Sequence, residues 1–153
     1  MKGIIAIEPE GPPFVNETGP TGPPRVDGVT RLPLLYDPPV SDVKELETVR
    51  VPPLKGKDYT ACTLLKEPAR KLVNLAKVPV VLVTGEASYH APYDYCTIAY
   101  FKQTGVPITW LDLGSLGLKG NGHFAFLEKN SADVANLVLK WLQKNVDGQK
   151  RRL

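Results

Sequence analysis

Cysteine and histidine are scarce in this chain. Two cysteines, Cys62 and Cys96, are too few for a disulfide framework or a zinc site, and whether they pair once is left open. No apolar run approaches the roughly 18 residues that a membrane-crossing helix needs, which excludes a spanning helix. Charged residues are close to the usual share at 23%, but the net charge is small: 19 Lys and Arg against 16 Asp and Glu leave +3. Much of that excess is Lys150, Arg151 and Arg152, so residues 149–153 read as a basic tail and not as a nucleic-acid face. No phosphate loop is present, because Gly117, Gly120 and Gly122 are not followed by a Lys-Ser/Thr pair and do not open a helix. The first residues lack the charged leader, apolar stretch and cleavage site of a signal peptide. Nothing in the composition calls for a cofactor or a metal ion.

Proline is what the chain has in excess. It numbers 15, about twice the usual share, and the cluster from Pro9 to Pro53 divides the chain into a short apolar start, a connector and an ordinary α/β portion. The 153 residues suit one domain. Gly3-Ile4-Ile5-Ala6-Ile7 is a β-branched run without polar alternation, the pattern of a parallel strand covered on both faces. Residues 9–60 break at Gly11-Pro12-Pro13, Gly19-Pro20, Gly22-Pro23-Pro24 and Asp37-Pro38-Pro39, which predicts loop with short extended pieces such as Leu34-Leu35-Tyr36. A connector of that length usually serves as a lid or binding loop. Its Leu34, Leu35, Tyr36, Val40 and Leu46 give it side chains to pack.

The remainder is more regular. Residues 67–77 predict a short helix with Pro68 in its first turn. Residues 78–83 predict a second buried strand, and Pro92 opens a helix that stops at Gly105. Residues 108–113 predict a third strand. A last helix over residues 131–145 carries Val134, Leu137, Val138, Trp141 and Leu142 on one stripe, with Asn130 in N-cap position and Asp133 three residues on. The order is a parallel α/β layout.

Ligands and reactive groups in parallel sheets collect at the carboxyl ends of strands. Three polar groups occupy such ends here: Glu8 and Glu10, then Glu86 to His90, then the loop bearing His123. An acid at one strand end and a histidine at another is what a Ser-His-acid hydrolase uses, the acid orienting the imidazole and the imidazole taking the nucleophile's proton. His123 follows Gly120-Asn121-Gly122, which lets the backbone turn tightly and leaves the ring on a loop. His90 leads into a helix start and reads as a structural or rim residue. A nucleophile is harder to find. Ser41, Ser88, Ser115 and Ser131 all lie outside a G-x-S-x-G elbow, and Gly114-Ser115-Leu116-Gly117 matches it only in part. Cys62 falls in the connector's end and Cys96 inside a helix, and neither reads as a nucleophile.

Four segments carry a resemblance: GIIAIEPEGP from Gly3, LLYDPPV from Leu34, VVLVTGEASYH from Val80 and GNGHFAFLEKN from Gly120. Together they resemble the C-terminal half of α/β-hydrolase fold esterases, in a branch of bacterial and fungal esterases related to lipases. The resemblance implies that the three strands are the last three of an eight-stranded sheet, within a single domain reaching residue 148 with residues 9–60 as its loop or cap region. It implies His123 as the catalytic base. The acid of most such enzymes would be Glu86, whereas this branch places it in the E-P segment, at Glu8. Glu8 is the preferred assignment and Glu86 the alternative. The elbow serine and oxyanion-hole loop expected from the family belong to a part not found in these residues, and losing a triad nucleophile costs about a millionfold in turnover.

Two functions follow as expectations. The first is the C-terminal part of a serine carboxylic-ester hydrolase acting on a small-molecule ester, inactive alone. The second is a non-catalytic relative that binds another chain, or the remaining half, through an open sheet edge. No compartment is implied, since any secretion signal would lie in the part not found here.

Overall fold

The computed structural model describes residues 1–11, 14, 34–55 and 58–148, and the predicted basic tail lies outside them. Three parallel strands form the central sheet: β1 (Ile4–Ile7), β6 (Val80–Thr84) and β7 (Ile108–Asp112), in the order β1-β6-β7. The smaller strands β2 (Tyr36–Asp37), β3 (Thr48–Val51), β4 (Cys62–Leu65) and β5 (Lys71–Leu72) pair antiparallel, β2 with β5 and β3 with β4. Two α-helices complete the mixed α/β arrangement, α1 (Asp94–Gln103) and α2 (Ser131–Leu142).

The pleat of β6 explains the two cores. Val80 packs with Tyr36, Leu72, Tyr100 and Phe101 on one face, while Val81 and Val83 pack with Leu113, Val134 and Trp141 on the other. All five β6 residues are buried, and each such aliphatic side chain contributes about 1.5–3 kcal/mol by leaving water. The α2 stripe lands as its spacing predicts, with Leu137, Val138 and Leu142 packed beside buried Val134 and Trp141. Register runs Ile4 against Val80 and Val80 against Ile108, so all three strands end on the same side.

The structure departs from the sequence expectations in five places. Residues 67–77 are no helix: Leu72 donates its N–H to Thr104 O and Val73 to Leu35 O, so tertiary bonds capture the backbone and only Leu75–Lys77 turns as 3₁₀. The described part of the connector is not loop alone, because β3 pairs with β4 over four residue positions. Cys62 therefore lies on a strand, and it forms a disulfide with Cys96 of α1. β1 is covered on one face only, since Ile5 and Ile7 remain 41% and 42% exposed at the sheet edge. Asn130 precedes α2 but makes no capping bond, as its amide is engaged elsewhere. Among the described residues no helix is long and apolar enough to cross a membrane.

Candidate active site

The common end of β1 and β6 brings Glu8 inward. Glu8 closes β1 with its N–H on Val83 O, then turns at φ 45°, a left-handed conformation that costs a non-glycine residue about 1–3 kcal/mol. That turn buries its carboxylate, whose side chain is 1% exposed. A buried carboxylate must be met by donors, and three meet this one. Gly85 N–H donates to Oε1 at 2.7 Å, Ser88 Oγ donates to Oε2 at 2.6 Å, and His123 Nδ1 lies 2.6 Å from Oε2. An ionised carboxylate only accepts, so His123 Nδ1 is the donor, and in the neutral ring the lone pair is on Nε2.

Gly85 also sets the loop that carries His123. An added Cβ would lie 2.4 Å from Asn121 O and 2.9 Å from Gly122 O, so only glycine lets this loop approach the end of β6. Ala87 N–H donates to Asn121 O at 2.9 Å. The Asn121 and Asn130 amides pair reciprocally at 2.7 and 3.0 Å, which is what diverts Asn130 from capping α2. His123 itself is 29% exposed at its side chain, open on one side.

Glu86 goes elsewhere. It accepts from Lys119 Nζ at 2.7 Å and from Gly120 N–H at 3.0 Å, on the wall of a cleft of about 580 Å³ that Ser88 and Trp110 also line. The Lys119 bond, then the Gly120 N–H, hold its carboxyl below the usual range. The structure thus brings together Glu8 and His123 and leaves Glu86 on a lysine.

His90 is neither at a rim nor remote. It is 2% exposed, its ring lies parallel to that of His123 with centroids 4.9 Å apart, and its N–H donates to Ser88 Oγ at 3.1 Å. Its Nδ1 sits 3.3 Å from Asp94 Oδ1. Burial pushes the Asp94 carboxyl above its ordinary range, opposed by bonds from His90 and Thr84. Glu8, His90 and His123 offer ligand atoms within 4.8 Å of one another. A metal–imidazole bond lies close to the ring plane, so two nearly parallel rings, 4° apart with centroids at 4.9 Å, are poorly oriented to share one ion.

Sequence reading missed Gly85, Ser88 and His90 as neighbours of the acid. The Thr84-Gly85 step directly after a buried strand was the available signal for the first. As for nucleophiles, Ser88 bonds Glu8, Ser115 Oγ donates to Asp112, and both cysteines are in the disulfide. Among the described residues no serine or cysteine side chain is hydrogen-bonded to His123.

Comparison with known proteins adds a direction. The chain is similar to a fungal protein named "Probable secreted lipase phiG" (Fungal sp., strain ATCC 74256). The two are 46% identical over 145 residues, 94% of this chain and 40% of that protein. The chain spans about two fifths of the length of this relative. No family model matches the chain. No solved structure matches it.

Proposed function

We propose that this chain supplies the acid and the base of a serine carboxylic-ester hydrolase with an α/β-hydrolase architecture. The observation that carries the reading is the 2.6 Å contact between His123 Nδ1 and buried Glu8 Oε2. In the proposed reaction a serine hydroxyl outside these residues attacks the ester carbonyl while His123 Nε2 takes its proton. The same nitrogen then gives that proton to the departing alcohol, and water repeats the sequence on the acyl-enzyme. Glu8 keeps the Nδ1 proton in place and stabilises the imidazolium. The relative's printed description names a lipase, which agrees with an ester substrate, and its length leaves room for the serine and oxyanion donors. Its description as secreted agrees with the Cys62–Cys96 disulfide here, since such bonds persist in oxidising surroundings.

A second reading rests on β1. Its outer edge is unpaired among the described residues, with Ile5 and Ile7 exposed beside it. Such an edge is suited to taking another strand. In the first reading that strand belongs to the rest of the hydrolase sheet, and in the second to a different partner.

A fluorophosphonate probe separates them. The purified chain is expected to stay unlabelled. A longer polypeptide carrying a G-x-S-x-G segment ahead of these residues is expected to label at that serine and to hydrolyse a p-nitrophenyl ester. Replacing His123 by Ala there removes both reactions under the hydrolase reading. Unchanged hydrolysis after that replacement would leave the edge-binding reading standing.

A further inference from the structure

Exposed aromatic rings are few in this chain, and they are not scattered. Tyr89, Phe124 and Phe126 are 56%, 56% and 58% exposed, whereas among the described residues every other aromatic side chain is buried or half-buried. All three belong to one row of rings that passes through His123. Tyr89 lies 4.9 Å from the His123 ring at 44°, Phe124 lies 4.7 Å from it at 62°, and Phe126 stands edge-on to Phe124 at 5.7 Å. A single exposed apolar side chain needs no explanation, but a contiguous exposed group marks a place where something apolar binds.

The three differ in what they face. Phe126 shares a groove with Ile5, Ile7 and α2, so it belongs with the open edge of β1. Tyr89 and Phe124 stand outside that groove and border the imidazole itself. Tyr89 comes from the turns between β6 and α1, Phe124 from the loop between β7 and α2, and the two segments meet at His123. The inner side of the ring is taken, with Nδ1 on Glu8 and buried His90 alongside.

The chemistry says which part of an ester comes there. When the acyl-enzyme forms, the bond between the acyl carbon and the alcohol oxygen breaks, and the departing oxygen takes the proton from His123 Nε2. That oxygen must therefore lie within about 3 Å of the nitrogen. The alcohol carbon is one bond further on, within range of side chains that border the imidazole. The acyl carbon is instead bonded to the serine, and its carbonyl oxygen is held by donors outside these residues.

We propose that Tyr89 and Phe124 form an aromatic wall for the alcohol portion of the ester, and that this alcohol is aromatic. The inference rests on the acid–base reading above and names a substrate class for it. A flat apolar group packs offset or edge-on against such rings, a contact for which a methyl group lacks the area.

The test uses a longer polypeptide that carries the serine and two pairs of esters. Benzyl and methyl acetate differ in the alcohol, benzyl acetate and benzyl hexanoate in the acyl chain. The benzyl-over-methyl ratio of kcat/KM is expected to fall about tenfold in Tyr89→Ala and in Phe124→Ala, while the hexanoate-over-acetate ratio moves by less than about twofold. Tyr89→Phe keeps the ring and is expected to hold the benzyl preference within about twofold. A benzyl ratio unchanged in both alanine variants, or an acyl ratio that falls as far, overturns the proposal. A fall in Tyr89→Phe equal to that in Tyr89→Ala would assign the effect to the hydroxyl and overturn the wall. Both side chains are exposed, so these truncations leave the fold intact. His123→Ala separates the two levels. Loss of hydrolysis of all three esters is expected there, and its persistence would sink the acid–base reading and the wall with it.

Discussion

Glu8 and Glu86 follow adjacent parallel strands, yet their surroundings are opposite. The Glu8 side chain is 1% exposed and the Glu86 side chain 40%. Glu8 meets a backbone N–H, a serine and a histidine, while Glu86 meets an exposed lysine and a loop N–H. Exposed ion pairs contribute about 0–1 kcal/mol because water competes with them. A buried carboxylate with three donors is a different object: removing a donor leaves it uncompensated, so its neighbours are held in place. The lesson is that a strand-end position does not make a carboxylate a site. Here the left-handed turn at Glu8 is what carries the acid under cover and beside His123.

The largest expected effect breaks this comparison at the acids themselves. In an active polypeptide containing these residues, Glu8→Gln is expected to lower kcat by about 10⁴, the scale seen when a triad acid is made neutral. Glu86→Gln should change it by less than about threefold, since it loses an exposed ion pair with Lys119 while the amide oxygen can still accept from Gly120 N–H. Ester hydrolysis measured on both variants, with circular dichroism to show that each folds, checks the order. The reverse order would return the acid's role to Glu86.

What could be read beforehand follows the range of the interactions. The runs in β1, β6 and β7 and the stripe of α2 announce themselves because the signal is local and long enough to show a period. The small strands β2 to β5 do not. Two- and four-residue pairings broken by prolines have no period to read, and the bonds that recruit residues 71–73 come from Leu35 and Thr104, far away in sequence. The candidate site divides similarly. His123 is legible from its glycine loop, but its choice of partner came from a family resemblance and not from spacing. Gly85 and Ser88 reach Glu8 across 77 and 80 residues, a closeness that no local pattern encodes. Asn130 shows the same limit: a good N-cap residue by type, it is taken by Asn121 once the loop folds back.

Two glycines sharpen the contrast at the next scale. A methyl group on Gly85 would strike the backbone oxygens of Asn121 and Gly122 at 2.4 and 2.9 Å. Backbone cannot swing aside, so Gly85→Ala is expected to destabilise by about 1–3 kcal/mol and to displace His123 with its loop. A methyl group on Gly114 would meet the Cβ and Cγ of Glu86 at 2.9 Å. The Cγ can swing aside but the Cβ is held by its backbone, so Gly114→Ala should cost about 1 kcal/mol, less than Gly85→Ala with its two backbone oxygens. Urea unfolding of both variants measures the difference, and equal losses would mean that the Gly85 approach is not what seats the loop.

The smallest effect is in the pH dependence, where the sign and not the size is diagnostic. Asp94, beneath His90, has its carboxyl raised by burial. Its contribution to stability is therefore fully present below the unfolded value of about 3.9 and is lost as pH rises through the folded one. Glu86 is lowered by Lys119, so its contribution is present above about 4.3 and is lost as pH falls through its folded value. Unfolding free energies taken from acid to neutral pH should make the wild type's advantage over Asp94→Asn shrink as pH rises. Its advantage over Glu86→Gln should grow over the same range. Parallel trends in the two differences would mean that the buried and exposed carboxylates feel the same surroundings, and the contrast between the two strand ends would not hold.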